Sequence, residues 1–245
     1  MQNSSPSPRT IDAVRQALSA ARRVTVLTGA GVSAASGVPT FRGAGGLWRN
    51  HHAQQLATRE AFASDPQLVW EWYAWRRQII SECSPNPAHA AIARWSERPG
   101  FTLITQNVDG LHERAGTQNV VRYHGSIWTL KCWDSCGVAD WDDASVPLPV
   151  LPPRCPACGS LARPGVVWFG EAIPADAAHA AQEATDCDLF LSVGTSSVVY
   201  PAAGLIAEAK AHGAFTVEVN PDVTGTAVDL AIASPAELVL PALET

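Results

Sequence analysis

Short apolar runs alternate with longer amphipathic segments along this chain of 245 residues. The runs are rich in β-branched and aromatic residues, as in buried strands, and the segments place apolar residues three and four apart, as in helices. Predicted strands cover residues 24–27, 101–105, 120–123, 189–193 and 215–219, and predicted helical regions cover residues 11–23, 54–83, 88–97 and 202–212. In the first helix, Asp12 near the start and Arg22 and Arg23 at the end suit the helix dipole. Strands that alternate with helices indicate an α/β fold with a parallel sheet.

Glycine and small polar residues follow several predicted strands. Gly29, Ala30 and Gly31 come directly after the first strand and before a predicted helix start, which places backbone N–H groups where a phosphate can bind. Glycines in a tight turn between strand and helix can also be purely steric, so this motif alone leaves both interpretations open. Ligands of parallel sheets bind beyond the carboxyl ends of the strands. Further polar strand ends at residues 106–110, 194–196 and 220–222 therefore favour a nucleotide-binding cleft.

The composition and charge favour a globular protein that binds neither nucleic acid nor a membrane. An apolar fraction of 47% and a charged fraction of 16% are typical of globular proteins, and a net charge of −6 argues against a basic nucleic-acid surface. No run approaches the roughly 18 apolar residues that span a bilayer. Residues 1–10 are polar and rich in proline and serine, which predicts a disordered lead-in without a signal peptide. We expect a cytoplasmic protein with no nucleic-acid partner and no membrane partner.

Six cysteines in such a protein need an explanation other than disulfides. Two close pairs lie in a proline-rich segment, residues 131–163, with eighteen residues between the pairs, near the spacing of a zinc ribbon. Four thiolates would fill a tetrahedral site, so we predict one structural Zn²⁺ held by Cys132, Cys136, Cys155 and Cys158. Cys83 and Cys187 lack such partners and are predicted to be core residues. Zinc ribbons are common in nucleic-acid binders, but the acidic character of this segment argues against a phosphate-binding role.

Six ordered motifs carry a resemblance to a known family. They are GAGVSAASGVPTFR (29–42), TQNVDGLHERAG (105–116), YHGS (123–126), PGVVWFGE (164–171), VGTSSVVYP (193–201) and EVNP (218–221). With these motifs and its cysteines, the chain resembles the sirtuins, NAD-dependent protein lysine deacylases. The resemblance implies one catalytic domain over residues 11–245. The sequence does not determine the oligomeric state, and we expect a monomer. It divides this domain into a Rossmann part (11–43, 88–127 and 163–245), a helical insertion (44–87) and a zinc ribbon (128–162).

The resemblance also implies an NAD site. The glycine turn would hold the pyrophosphate, Asp109 the nicotinamide carboxamide, and Asn220 the adenosine ribose, while a loop near Ala236 would contact adenine. The implied NAD-binding residues are Gly29, Ala30, Gly31, Ser33, Phe41, Arg42, Gln106, Asn107, Asp109, Gly194, Thr195, Ser196, Asn220 and Ala236.

His124 and Asn107 are the implied catalytic residues. An isolated histidine is commonly structural, but His124 follows a polar strand end, and imidazole titrates near working pH. In the family's mechanism the acyl-lysine oxygen attacks the nicotinamide ribose and expels nicotinamide, and the histidine then activates a ribose hydroxyl. Asn107 would order the ribose and a nearby water. The other six histidines are interpreted as surface, capping or packing residues.

The implied partner is an acyl-lysine protein or peptide, paired along an extended edge that includes Val167 and Phe169. Tyr73 and Arg76 are three residues apart and share a helix face, where they could bind an acyl carboxylate. This pair resembles sirtuins that remove succinyl and malonyl groups, and Ala44 would leave room for a longer acyl chain. The alternative is a solvated arginine beside a core tyrosine. Deacetylation is expected as well.

Two other functions remain open from the sequence alone. The same cleft could transfer ADP-ribose to a protein, as in some relatives, or the chain could be a non-catalytic module that binds NAD or uses its zinc ribbon. A dehydrogenase is disfavoured because Ala34 replaces the third glycine of GxGxxG and no acidic residue follows at the usual ribose position.

Overall fold

The computed structural model describes residues 7–40, 47–49 and 51–244. Its strands are β1 Val24–Thr28, β2 Leu47–Trp48, β3 His51–His52, β4 Phe101–Thr105, β5 Val120–Arg122, β6 Gly125–Cys132, β7 Trp141–Asp142, β8 Ala162–Val166, β9 Leu189–Val193, β10 Phe215–Val219 and β11 Leu230–Ile232. Its α-helices are α1 Pro8–Ala20, α2 Ala53–Leu56, α3 Arg59–Ser64, α4 Pro66–Glu82, α5 Pro87–Trp95, α6 Leu111–Arg114, α7 Ala175–Glu183, α8 Leu205–Ala211 and α9 Ala236–Ala242. Segments Ala30–Ser36 and Ala202–Gly204 form 3₁₀ helices.

A parallel sheet of six strands confirms the α/β prediction, with strand order β11-β10-β9-β1-β4-β5. From β1 the chain adds β4 and β5 on one side, and it later adds β9, β10 and β11 on the other side. The order therefore reverses between β1 and β9, and such a switch point opens a crevice at the carboxyl ends of the strands. All five predicted strands are confirmed, whereas the short β11 was not predicted.

Both faces of this sheet are covered by helices, which is why β1 and β9 read as unbroken apolar runs. One face packs with α1, α5 and α9 through residues such as Val14, Ile92 and Val239. The other packs with α7 and α8 through Ala181 and Ile206. This doubly wound arrangement is Rossmann-like.

Helix α1 lies three residues earlier than its pattern suggested. Pro8 occupies the first turn and the Ser7 hydroxyl accepts a hydrogen bond from Thr10 N, so the helix starts inside the predicted disordered lead-in, and that prediction is wrong for residues 8–10. The predicted match to the helix dipole is also wrong, since the helix ends at Ala20. Instead, the N–H groups of residues 22 and 23 both donate to the Asp188 carboxylate.

The aromatic region at residues 54–83 consists of three helices, α2, α3 and α4. The Thr58 and Asp65 side chains cap the second and third of these, and Pro66 starts α4. These helices pack against the antiparallel sheet β7-β6-β8 in a second core that includes Phe62, Trp70 and Trp168. We refer to α2–α4 together with this antiparallel sheet as the small domain, since their core is separate from the cores on the parallel sheet. Across the described ranges, no helix is long and apolar enough to cross a membrane.

Candidate active site

The switch point between β1 and β9 is closed by glycines in direct contact. Gly31 N donates to Gly194 O at 2.8 Å, and Gly29 N donates to Val193 O at 3.1 Å. A Cβ at Gly31 would lie 2.7 Å from Gly194 O, and one at Gly29 would lie 2.8 Å from Thr195 Cα. Both positions therefore need glycine for close packing of the main chain. The steric interpretation of the glycine motif is therefore correct. It is compatible with ligand binding, because the turn also lies at the switch point, where parallel sheets bind ligands.

Polar side chains from neighbouring strand ends are tied to one another at this edge. Gln106 Nε2 donates to Thr195 Oγ1 at 3.0 Å, and Asn220 Nδ2 donates to Thr195 O at 2.9 Å. Thr195 is buried and Ser196 is half-buried. The structure thus brings the ends of β4, β9 and β10 together, as the sequence predicted.

Ser33 joins the glycine turn to the end of β4. Its hydroxyl donates to Asp109 Oδ2 at 2.8 Å and accepts from Asn107 Nδ2 at 3.1 Å. Asp109 Oδ1 accepts the Leu111 N–H, which starts α6. Burial raises the pKa of Asp109, while the bonds from Leu111 and Ser33 oppose that rise. Ser33 and Asp109 are buried and Asn107 is half-buried, so the three side chains form a fixed polar cluster at the carboxyl edge of the sheet.

His124 follows β5 at the same edge, and its ring bonds define its tautomer. Nδ1 lies 3.1 Å from the carbonyl oxygen of Gln106. A carbonyl only accepts, so Nδ1 carries the hydrogen and Nε2 holds the lone pair. Burial lowers the pKa of His124, although its bond to Gln106 acts the other way. At neutral pH the imidazole is uncharged, and its Nε2 is able to accept a proton.

Two further histidines lie behind this cluster, and sequence reasoning gave them only capping or packing roles. The rings of His89 and His112 are 4.7 Å apart and fully buried. His89 Nδ1 accepts from Asn86 N, which leaves its Nε2–H for Ser33 Oγ at 3.4 Å. His112 Nε2 lies 3.0 Å from Thr28 Oγ1. Asn86 and His89 form a capping box, so the capping prediction holds for His89, but nothing in the local pattern revealed its contact with Ser33.

Burial keeps both of these rings neutral. It lowers the pKa of His89 to about 4 and the pKa of His112 well below its usual value. Thr28 donates onward to Thr105 Oγ1 at 2.9 Å, and that oxygen accepts the Asn107 N–H at 3.1 Å. Asn107 is therefore held by both its amide side chain and its backbone.

Tyr73 and Arg76 lie on one buried face of α4, as predicted. Their exposed fractions are 3% and 6%, so the alternative of a solvated arginine is wrong. The Trp168 indole N–H donates to the Tyr73 hydroxyl at 2.9 Å, and the Arg76 guanidinium lies 5.4 Å from the centre of the Trp72 ring. Burial raises the pKa of Tyr73, so its hydroxyl is protonated. Phe41, Arg42 and Ala44, also predicted to line the cleft, lie outside the described residues.

The segment after β8 is extended, but part of its hydrogen-bonding capacity is used within the chain. Val167 N donates to His124 O, and Phe169 N donates to Ala57 O. Trp168 N donates to the Glu171 carboxylate. An extended peptide would therefore pair through the remaining groups of this segment. The Phe169 ring is 44% exposed and available for contact.

The four predicted zinc ligands come together at the end of β6 and the loop before β8. Their Sγ atoms all lie within 4.8 Å of one another, with separations of 3.6 Å for Cys132–Cys158 and 3.7 Å for Cys136–Cys155. Zn–S bonds of about 2.3 Å in a tetrahedron place sulfurs about 3.8 Å apart, so the cluster fits a single structural zinc. Cys83 and Cys187 are buried core residues, as predicted.

Comparison with known proteins agrees with this geometry. The model of the Sir2 family matches residues 29–201, which is more than half of the chain. An NAD-dependent protein deacylase of Ralstonia nicotianae is 52% identical over 230 residues, covering 92% of each chain. This chain belongs to the Sir2 family.

Solved Sir2 structures share the whole fold. A Sir2 homologue mutant in complex with 2′-O-acetyl ADP ribose superposes with a TM-score of 0.89 at 43% identity, over 95% of this chain and 94% of that one. A Sir2–p53 peptide–NAD⁺ complex gives 0.82 at 29% identity, over 94% and 95%. The Sir2 match therefore includes the zinc module and the helical insertion as well as the sheet.

The position of Ala236 differs from the one that the resemblance implied. Ala236 does not lie in a loop, because it is the first residue of α9, after Pro235, and it is buried. It contributes to the core that packs against β1 and β9. A contact with adenine would therefore use its backbone at the start of the helix.

Proposed function

We propose that this Sir2-family chain is an NAD-dependent protein-lysine deacylase, which transfers the acyl group to ADP-ribose and releases nicotinamide. The observation that carries the proposal is the neutral His124, with an available Nε2, beside the fixed Ser33–Asn107–Asp109 cluster at the switch point. The relative named as a deacylase and the Sir2 complexes with acetyl ADP ribose and with peptide support it.

The fixed cluster suits recognition of the nicotinamide riboside part of NAD. NAD supplies the reactive bond between nicotinamide and ribose. Asp109 presents a carboxyl group held in one orientation by Ser33 and Leu111, which suits the two N–H donors of a carboxamide. Asn107 is fixed from two directions, so it can order a ribose hydroxyl or water without losing side-chain entropy.

The rest of the NAD would follow the strand ends away from this cluster. The backbone at residues 29–31 and the turn at Gly194 would lie along the pyrophosphate, with Thr195 and Ser196 as short hydroxyl donors. Asn220 would reach the adenosine ribose, and the start of α9 the adenine. The resemblance to sirtuins implies these roles, and the placement of the residues at the carboxyl edge of the sheet supports them.

His124 is proposed as the general base for a ribose hydroxyl. Its Nδ1–H is committed to Gln106 O, so the free lone pair on Nε2 accepts the hydroxyl proton. The lowered pKa keeps this nitrogen unprotonated at neutral pH.

The acyl group is proposed to lie near Tyr73 and Arg76. A protonated phenol and a buried guanidinium on one helix face, among aromatic rings, suit a carboxylate at the end of a short acyl chain. Burial lowers the pKa of Arg76, while the charge of Asp109 acts the other way. We therefore infer succinyl-lysine and malonyl-lysine as substrates, together with acetyl-lysine.

Matched acetyl-, malonyl- and succinyl-lysine peptides of one sequence test this assignment. Arg76→Met should lower kcat/KM for the succinyl peptide by about two orders of magnitude or more, since a charge-assisted pair is lost, and should lower that for the acetyl peptide much less. Arg76→Lys is the matched control, because it keeps the charge but loses the planar fork. Its kcat/KM for the succinyl peptide should lie between those of the wild type and of Arg76→Met. Equal losses on the succinyl and acetyl peptides would contradict the acyl assignment.

A further inference from the structure

The indole of Trp168 connects the extended segment after β8 to the proposed acyl pocket. It is 2% exposed, and its N–H donates to Tyr73 at 2.9 Å across 95 residues of sequence. An indole nitrogen is only a donor, so the phenol oxygen must be the acceptor in this bond. The phenol's own hydrogen therefore points to some other acceptor.

An ion pair between the buried Arg163 and the half-buried Glu171 fixes the position of this indole. The Arg163 guanidinium stacks 3.5 Å from the centre of the Trp168 ring. The same guanidinium binds Glu171 through two nitrogens, at 2.5 and 2.9 Å. Glu171 Oε2 in turn accepts the Trp168 backbone N–H at 2.9 Å. Residues 163, 168 and 171 thus form a closed clamp, which we call the indole clamp.

The Glu171 carboxylate is ionised in this clamp at neutral pH. Burial raises the pKa of Glu171, but its bonds to Arg163 and to Trp168 N–H outweigh burial, so the pKa lies below its usual value. The Phe62 ring packs against the indole with centroids 5.3 Å apart. The indole therefore has little freedom to rotate away from Tyr73.

In this arrangement the Tyr73 hydroxyl is a hydrogen-bond donor to a bound ligand. One acceptor site on its oxygen is occupied by the indole N–H, and burial keeps its proton in place. Arg76, one helical turn further along, adds a cation on the same face. A carboxylate accepts from both groups, whereas an acetyl methyl accepts from neither.

We propose that Trp168, held by Arg163 and Glu171, is a positioning residue for acyl specificity, which directs the Tyr73 hydroxyl hydrogen toward the carboxylate of a dicarboxylic acyl group. The inference rests on the proposed deacylase function and deepens it. It assigns the indole clamp a part in substrate selection as well as in packing.

Trp168→Phe tests the inference, because it keeps an aromatic ring and removes only the N–H and the second ring. In the zinc-loaded full chain at saturating NAD, the ratio of kcat/KM for succinyl peptide over acetyl peptide should fall about fivefold to tenfold. The fall should come from a higher KM for the succinyl peptide with kcat retained. The same substitution made in a Tyr73→Phe background should change the ratio by less than about twofold, since no hydroxyl remains to be oriented.

Trp70→Phe is the matched control. It also removes a buried indole N–H bond of this core, at 2.8 Å, but that bond goes to the Ala162 carbonyl. It should leave the succinyl-to-acetyl ratio unchanged. If Trp168→Phe does not fold, as judged by circular dichroism, Glu171→Gln opens the clamp while keeping the indole and should lower the ratio in the same direction.

The inference is overturned if Trp168→Phe leaves the ratio unchanged, or changes it equally with and without the Tyr73 hydroxyl. Failure of the proposed function gives a different result. In that case the wild-type chain turns over neither peptide with NAD, or Arg76→Met leaves the ratio at its wild-type value.

Discussion

Three imidazoles lie at or behind the crevice, and hydrogen-bond partners define the tautomers of two of them, His124 and His89. His124 carries its hydrogen on Nδ1, facing a carbonyl, and so presents Nε2 to the cleft. His89 has the opposite arrangement, because its Nδ1 accepts a backbone N–H and its Nε2–H faces Ser33. Only His124 has an uncommitted lone pair at the cleft, which is why it is the base and the buried pair is structural support.

The pH dependence of turnover should report the protonation of His124 Nε2. Because burial lowers the pKa of His124, activity should be present above that pKa and be lost as pH falls through it. The acid limb of kcat/KM should therefore have its midpoint below 6.5. His124→Asn should lower kcat by about 10²–10⁴, the usual worth of a general base. An acid limb with a midpoint above 6.5, or near-normal turnover by the variant, would contradict the assignment.

At the scale of elements, the meeting of β1 and β9 determines the shape of the crevice. Gly194 has φ of +61°, and a Cβ there would lie 2.7 Å from the Gly31 carbonyl carbon. Both turns are therefore locked to each other, and each strand end can be displaced only with the other. Ser33, two residues after Gly31, and Thr195, directly after Gly194, are positioned by this contact.

Gly194→Ala should accordingly lower the free energy of unfolding strongly and weaken NAD binding. Gly116→Ala is its matched control, since Gly116 has φ of +92° with nothing within 4 Å of a new Cβ. The control measures left-handed backbone strain alone, about 1–2 kcal/mol. Gly194→Ala should cost about 1–3 kcal/mol more, because backbone atoms must move to admit the methyl group. Equal losses in urea denaturation would show that the contact between the turns is not tight.

Across the whole molecule, the features that could be predicted from the sequence are those set by residues close together in the chain. Buried parallel strands appear as apolar runs, and polar strand ends and cysteine spacing are equally local signals. The bounds of α1 were misjudged because Ser7 and Pro8 set its start more strongly than apolar spacing did. Contacts such as Thr28 with His112, 84 residues apart, have no local signature, so the support behind Asn107 could not be predicted. The bond between Trp168 and Tyr73 is another of this kind.

Zinc should stabilise the small domain through a link to α4. Arg77, itself 1% exposed, binds Asp143 of the zinc module at 2.7 Å and lies 5.0 Å from the Trp128 ring centre. Cys158→Ser removes one thiolate ligand and should reduce bound zinc, measured by metal analysis. Because the zinc module contacts α4, the substitution should also lower the melting temperature of the small domain. Cys83→Ser, a change at a cysteine outside the cluster, should keep one zinc per chain. Full zinc content in Cys158→Ser would contradict the four-cysteine site.

The most direct measurement is product stoichiometry with NAD and an acyl-lysine peptide, followed by mass spectrometry. The proposed function predicts equal amounts of nicotinamide, free lysine peptide and O-acyl-ADP-ribose, and none of these without NAD. Acyl transfer by His124→Asn should be slower by about 10²–10⁴. ADP-ribose attached to protein with the acyl-lysine left intact, or NAD bound without turnover, would contradict the deacylase assignment.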